Sequence, residues 1–273
     1  MPEGPEIRRA ADEVSAALMD RVAVEVWFGI DRLKGHESQL SGRRVITVKT
    51  RGKAMLTGFD NGLTIYSHNQ LYGRWHTGPA YSYPETNRSL RLAIQNSEAS
   101  ALLYSASDIE VLDNRGLQEH PFLSKLGPDV LDATTIRNII LKRMNSPGFH
   151  KRRLGNLLTD QSFLAGLGNY LRCEILFVAG MHPRRRPVDC GVEQREQLAD
   201  TIMHLSRQSY ETAGITNDPS FARQLMKQGA TFESSRFYLF RREGKSCYRC
   251  GSTIEKISAG GQYCYLCPKC QSG

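Results

Sequence analysis

The sequence predicts an α+β multidomain fold, on three observations. After one amphipathic segment, residues 22–112 break into short runs rich in β-branched and aromatic residues. Beyond about residue 130 those runs give way to apolar residues at helical spacing, and five of the seven cysteines crowd between 247 and 270. At 273 residues the chain is long enough for two domains and a small appendage. The expected division is an N-terminal β-sandwich domain with a leading helix over 1–118, a linker over 119–133, a helical domain over 134–234 and a cysteine-bearing β-ribbon over 235–273.

Ile7, Ala10, Ala11, Val14 and Leu18 recur on one face of a helix expected over 5–19. Strands are expected at 22–28, 44–50, 54–59, 63–68, 90–95 and 101–105, separated by Gly, Asn, Asp or Pro. Asp60-Asn61-Gly62 reads as a hairpin turn. Many short strands in succession favour a sandwich or barrel. His120-Pro121 and Gly127-Pro128 bracket the expected linker. Thr134-Thr135 can cap a helix carrying Ile136, Ile139, Ile140 and Met144. Further helices are expected at about 153–159, 170–180 and 192–208, and 213–229 reads as loop with one helix.

The formal net charge of +8 and a pI near 9.2 suggest a polyanionic partner, nucleic acid before membrane surface. No run approaches the ~20 apolar residues of a membrane span, and the acidic start does not resemble a secretory leader. A membrane partner is therefore not expected, and the cytoplasm is the expected compartment. An odd number of cysteines argues for a metal site in reducing surroundings, not a disulfide framework. Cys247-x-x-Cys250 and Cys267-x-x-Cys270 are separated by the sixteen residues 251–266, the spacing of one tetrathiolate zinc ion. An all-sulfur set leaves no open coordination position, so this zinc is expected to be structural. Gly251 suits the turn after the first pair, and Ile254, Ile257, Tyr263 and Tyr265 suit a two-stranded ribbon between the pairs. Cys264 could replace Cys267, but a pair six residues apart is poor geometry, and a free thiol is favoured. A redox dithiol is the competing reading of the cluster.

Three other segments carry chemistry. In Met1-Pro2-Glu3-Gly4-Pro5-Glu6, removal of Met1 would leave Pro2 as a free secondary amine. With an α-amino pKa of roughly 8, about a tenth of it is the neutral nucleophile at pH 7, far more than a lysine offers. Glu3 and Glu6 lie within one helical turn of it as proton carriers, although the same hexapeptide also reads as a plain helix start. Arg51-Gly52-Lys53 falls in a strand turn, where Lys53 could contact phosphate or act as acid and base. Gln70, Leu71 and Tyr72 form an amphipathic loop able to fill the gap left by an extruded base, or else a packed hairpin tip. Gly166-Leu167-Gly168-Asn169 links two helices through a turn that could seat a phosphate, with Asn169 placed to cap the next helix.

Taken in order, Pro-Glu-Gly-Pro-Glu, Arg-Gly-Lys, Tyr66-Ser67-His68-Asn69-Gln70-Leu71-Tyr72-Gly73, Leu103-Tyr104-Ser105-Ala106-Ser107-Asp108-Ile109-Glu110, His120-Pro121-Phe122-Leu123, Gly-Leu-Gly-Asn and the four-cysteine finger span the whole chain. The chain resembles the formamidopyrimidine-DNA glycosylase/endonuclease VIII family, on its bacterial endonuclease VIII side. The resemblance implies a β-sandwich, a helix–two-turns–helix domain and a zinc finger, with double-stranded DNA lying between the domains. It implies a monomeric base-excision enzyme, associated with the bacterial nucleoid through DNA, that removes oxidised pyrimidines such as thymine glycol and cuts the abasic strand by β- and δ-elimination. By position, Pro2 would be the Schiff-base nucleophile, Glu3 the acid that opens the sugar, and Glu6 a support for the N-terminus. Lys53 would contact phosphate and assist β-elimination, Gln70, Leu71 and Tyr72 would fill the void, and Asn169 would bind the lesion phosphate. Lys125 stands where the endonuclease VIII branch has a DNA-contacting arginine, and Gln262 where the finger has the arginine assigned to the second elimination. Both substitutions weaken the expected contact, Lys125 to a point charge and Gln262 to an uncharged donor, unless Lys256 or Lys269 compensates for Gln262. The alternatives are a same-family enzyme for oxidised purines, a non-catalytic zinc protein that binds DNA, and a zinc-ribbon subunit of a larger complex. The Gln-Leu-Tyr loop speaks against the first, because that branch carries methionine here.

Overall fold

The N-terminal helix follows its apolar stripe: α1 (Gly4–Leu18) buries Ile7, Ala11, Val14 and Leu18 along one face. It begins one residue before the expected helix, with Pro5 in the first turn where a missing N–H costs nothing. The computed structural model describes residues 2–272, which divide into two compact units at the boundary between Lys125 and Leu126.

In the first unit, β1 (Val22–Ala23), β3 (Arg43–Arg51), β4 (Ala54–Phe59), β5 (Thr64–His68) and β9 (Asp108–Leu112) make one antiparallel sheet in the order β1-β3-β4-β5-β9. The second sheet has the order β2-β7-β8-β6, from β2 (Glu25–Phe28), β6 (Arg74–Pro79), β7 (Leu90–Gln95) and β8 (Ala99–Tyr104). Phe28, Val45, Phe59, Ile65, Leu92 and Leu103 belong to the core of this unit, and Val14 and Leu18 of α1 join them. The single strand expected over 22–28 is two, because Val24 is exposed and the chain there passes from one sheet to the other. Two strands had no clear sequence signal. β6 and β9 are edge strands, and their polar residues, with Pro79 closing β6, protect sheet edges from further pairing. Short helices α2 (Glu37–Leu40) and α3 (Asn114–Glu119) lie within the same unit.

The second unit begins with α4 (Arg137–Met144), and the expected Thr134-Thr135 cap is corrected: the residue preceding the helix is Ile136. Thr134 Oγ1 donates instead to Asp132 Oδ1 at 2.7 Å, so Asp132 organises the turn. α5 (Leu154–Leu157) and α6 (Asn169–Val178) flank the glycine link. α7 (Val192–Glu211) is longer than expected and packs on α4 and α6. α8 (Pro219–Lys227) is the one long helix of 213–229, capped by the Asp218 carboxylate, which accepts from Phe221 N. After α9 (Phe232–Ser235) the chain wraps around Glu174 of α6. Both oxygens of this buried carboxylate are occupied: Oε2 accepts from Tyr238 N and Thr216 Oγ1, and Oε1 from Leu239 N and Phe240 N. Burial pushes its pKa up, against the pull of those donors. β10 (Glu255–Ala259) and β11 (Gln262–Leu266) then form the expected ribbon between the cysteine pairs.

Candidate active site and metal centre

Pro2 is half-buried at the mouth of α1, and the next residue, Glu3, is 2% exposed. The Glu6 carboxylate accepts from Glu3 N at 3.0 Å, fixing the first turn and hence the direction of the N-terminus. Lys53 lies in the β3–β4 turn, which the positive φ of Gly52 (61°) closes. Burial draws the Lys53 pKa below its usual range, while Glu3 and Glu6 pull it back up. The structure thus brings Glu3, Glu6 and Lys53 within electrostatic reach of one another beside Pro2. Removal of Met1 would add a secondary amine to these two carboxylates and this partly desolvated ammonium, the parts imine chemistry requires.

Gln70, Leu71 and Tyr72 sit on the loop joining β5 to β6, with Leu71 54% and Tyr72 70% exposed. The loop thus holds two large side chains out in water. Gln70 occupies left-handed backbone space (φ 49°), a strained position for a residue with a Cβ. The loop is held by residues that sequence reasoning missed: Gln70 N donates to His68 Nδ1 (3.1 Å), Ser107 Oγ donates to Gln70 Oε1 (3.0 Å), and Arg88 Nη1 donates to the Tyr72 carbonyl (2.6 Å). His68 can accept only when Nδ1 is unprotonated, and burial pushes its pKa down, helped by Lys53 and opposed by Asp108. Lys125 is exposed on the last turn of this unit, at the end of a 3₁₀ segment, Leu123–Lys125.

In the second unit Asn169 does not cap α6; Gly168 does, and Asn169 is the first helical residue. Its Oδ1 accepts from Arg172 Nη2 at 2.5 Å, which turns the carboxamide –NH₂ away from the arginine as a free donor face. Arg172 is wholly buried and also donates to the carbonyls of Gly155 (2.9 Å), Ala259 (3.0 Å) and Tyr263 (3.1 Å). One guanidinium therefore ties α5, α6 and both strands of the ribbon together. The signal for it was present: a cation inside the apolar run 170–178, three residues after Asn169, has to be paired. Gln262 opens β11 and is exposed, opposite Ala259. Lys256 makes poor compensation for it, since its Nζ is 2.6 Å from Glu243 Oε2 and lies 4.6 Å from the centre of the Tyr263 ring.

The Sγ atoms of Cys247, Cys250, Cys267 and Cys270 lie within 4.8 Å of one another. Cys247 and Cys270 are 4.0 Å apart, and Cys250 and Cys267 3.4 Å. Four thiolates at the Zn–S distance of about 2.3 Å on a tetrahedron are about 3.8 Å apart, so the cage fits zinc. Gly251 has the expected positive φ (75°). Cys264 stays outside the cage, its Sγ 3.7 Å from that of Cys173 on α6.

A β-sandwich whose leading helix opens at Pro2, a helix–two-turns–helix segment and a four-cysteine finger together define one class of base-excision DNA-repair protein. The formamidopyrimidine-DNA glycosylase N-terminal domain matches residues 1–117, the H2TH domain of the same glycosylase 126–219, and the zinc finger found in FPG and IleRS 244–273. The chain is 46% identical to Endonuclease 8 of Escherichia coli (strain K12 / DH10B) and 47% identical to that of Salmonella typhimurium LT2, over 99% of this chain and 100% of each relative. It belongs to the formamidopyrimidine-DNA glycosylase/endonuclease VIII family and is most like endonuclease VIII. Lactococcus lactis Fpg solved in complex with DNA containing an abasic site shares the fold, at TM-score 0.80 and 18% identity, covering 99% of this chain and 100% of that one. A MutM complex with DNA containing carbocyclic 8-oxo-G superposes equally well, at TM-score 0.80 and 18% identity, over all of both chains.

Proposed function

We propose that this protein is a bifunctional base-excision-repair enzyme, a DNA glycosylase and AP lyase that removes oxidised pyrimidines from double-stranded DNA. The observation that carries the reading is the cluster of Glu3, Glu6 and partly desolvated Lys53 around the half-buried Pro2. With Met1 removed, the Pro2 nitrogen attacks the deoxyribose C1′ and the base departs. Glu3 delivers a proton to the ring oxygen, the sugar opens, and a cationic iminium remains on proline. The iminium acidifies the C2′ hydrogens. Loss of one, assisted by Lys53, expels the 3′ phosphate, and a second elimination expels the 5′ phosphate. Glu6 holds the turn that aims the nucleophile.

Gln70, Leu71 and Tyr72 occupy the space vacated by the extruded base, whose extrusion costs a few kcal/mol and less at a damaged pair. Lys125 and the Asn169 amide hold backbone phosphates, and Gln262 reaches the lesion phosphates from the ribbon. The preference for oxidised pyrimidines is supported by the Gln-Leu-Tyr loop and by the Endonuclease 8 relatives. Zinc in the four-cysteine cage supplies no chemistry; its ligands fix the ribbon that carries Gln262. Among the described residues no helix is long and apolar enough to cross a membrane. We place the enzyme, as a monomer, in a bacterial cytoplasm on nucleoid DNA.

Borohydride trapping on a thymine glycol duplex tests the reading. Wild type should form a covalent adduct, and a form retaining Met1 should form none. Glu3→Gln should slow base release by about 10²–10⁴-fold, the usual contribution of a positioned acid. Binding without any adduct in wild type would overturn the enzymatic reading in favour of a non-catalytic DNA binder. Stronger cleavage of an 8-oxoguanine duplex than of thymine glycol would move the substrate to oxidised purines.

A further inference from the structure

Two basic runs, His150-Lys151-Arg152-Arg153 and His182-Pro183-Arg184-Arg185-Arg186, meet in the second unit. Two backbone bonds join them: Leu154 N donates to the Arg185 carbonyl (2.7 Å) and Gly155 N to that of Pro183 (2.8 Å). Most of the arginines in these runs are spoken for. Arg152 pairs with Asp160 (2.6 Å), Arg186 with Asp189 (2.7 Å), and Arg185 with Gln194 (2.9 Å) and the Asp189 carbonyl (2.7 Å). Arg153 and Arg184 have no side-chain partner among the described residues, and both are exposed.

These two line one cavity of about 380 Å³, walled by Arg153, Asn156, Pro183 and Arg184 on one side and by residues 257–260 of the ribbon on the other. No carboxylate lines it. Arg172 fixes the walls by bonding the carbonyls of both Gly155 and Ala259. The tip of the ribbon is set as well: Gly260 has φ 60°, and a Cβ there would lie 3.2 Å from Asn156 Oδ1. Two guanidiniums facing one polar cavity with no counter-charge repel each other, and an anion that enters relieves the repulsion. The ribbon wall includes Ala259, the strand partner of Gln262, so the cavity continues the ribbon surface that the proposed function sets against DNA.

We infer that Arg153, Arg184 and Asn156 form a second phosphate seat that grips a phosphodiester of the duplex away from the lesion. The seat rests on the DNA-binding reading above. It positions DNA and reads neither base nor damage. The test is fluorescence-anisotropy binding of the zinc-loaded full chain to lesion and intact duplexes between 50 and 200 mM KCl. Each phosphate contact contributes about 0.9 to the slope of log affinity against log salt, so losing one shrinks the affinity change over that range about threefold. The double variant Arg153→Gln/Arg184→Gln should show that smaller slope. It should lose affinity for both duplexes by the same factor and keep the wild-type single-turnover rate at saturating enzyme. Arg153→Lys/Arg184→Lys should recover most of the slope, and Arg186→Gln, whose arginine is held by Asp189, should not change it. Unchanged slope and affinity in a double variant with wild-type zinc content would overturn the seat, as would a loss confined to the lesion duplex. Failure of wild type to trap or cleave would instead remove the enzymatic reading, while the salt slope would still decide the seat.

Discussion

On the proposed function, Gln262 is the residue whose chemistry departs most from what the second elimination wants. An exposed amide at the head of β11 can donate to a phosphate but leaves its charge unopposed, and Lys256 is engaged by Glu243 and Tyr263. The second elimination expels a dianion-like leaving group and should therefore lag behind the first. Gln262→Arg is expected to raise the ratio of 3′-phosphate to unsaturated-aldehyde ends severalfold, read on a sequencing gel; equal ratios would sink the idea. His68 gives a pH signature. Its depressed pKa leaves Nδ1 free to accept from Gln70 N at neutral pH, and protonation breaks that bond. Incision should be insensitive to this group from pH 8 down to the ordinary imidazole value of about 6.5, and should fall only below it. The measurement is a pH–rate profile of wild type against His68→Asn, whose amide can keep an acceptor without titrating. A wild-type loss beginning above pH 7 and shared by the variant would assign it elsewhere.

At the scale of elements, the β5–β6 loop is built to stay put. Gly73 N donates to the Asn69 carbonyl at 2.7 Å, and a Cβ on Gly73 would sit 2.6 Å from both the Cα and the carbonyl oxygen of Asn69. Backbone cannot yield as a side-chain tip can, so Gly73→Ala should displace Leu71 and Tyr72. The expected result is a tenfold or greater loss of thymine glycol release, near the about 1.4 kcal/mol that a factor of ten represents, with abasic-site cleavage less affected. Single-turnover rates on the two duplexes would show it, and equal losses would point to general unfolding. This loop was visible in the sequence as a motif, but its supports were not: Ser107 and Arg88 meet it only through the fold, and no local spacing links residue 70 to residue 107. The same limit separates the elements found from those missed. α1 carries clean periodicity because one face is buried, while β4 and β7 show as short apolar runs because nearly all of their residues are buried or half-buried. β6 and β9 are edge strands that each bury a single side chain, Trp75 and Ile109, and Thr134 and Asn169 turn to side-chain partners where capping was expected. The cysteine cage was legible from spacing alone, because tetrahedral thiolate coordination admits few spacings.

For the molecule as a whole, the metal and the helical core are joined. Removing zinc with a chelator should release the ribbon and abolish strand cutting, while the β-sandwich, whose core is formed within residues 1–125, stays folded. Limited proteolysis should then cut first within 235–273, and simultaneous loss of both units would contradict it. Arg172→Ala should be as damaging from the other side. It strands the carbonyls of Gly155, Ala259 and Tyr263, at a cost on the order of 3 kcal/mol, and frees the Asn169 amide to rotate. Thermal unfolding of the zinc-loaded variant measures the first effect and DNA affinity the second. The same guanidinium also dictates an order of events in time. Its four acceptors lie between residues 155 and 263, so the bonds that permit its burial close a chain segment of about a hundred residues. Closing so long a loop is entropically slow, and an arginine buried before its acceptors arrive would be an unpaired charge. During refolding α6 must keep Arg172 in water until the ribbon docks, so the finger is the last part to lock and DNA-binding competence the last property to return. Stopped-flow refolding should find tyrosine signals from the ribbon lagging the helical signal, and Arg172→Met should abolish the lag.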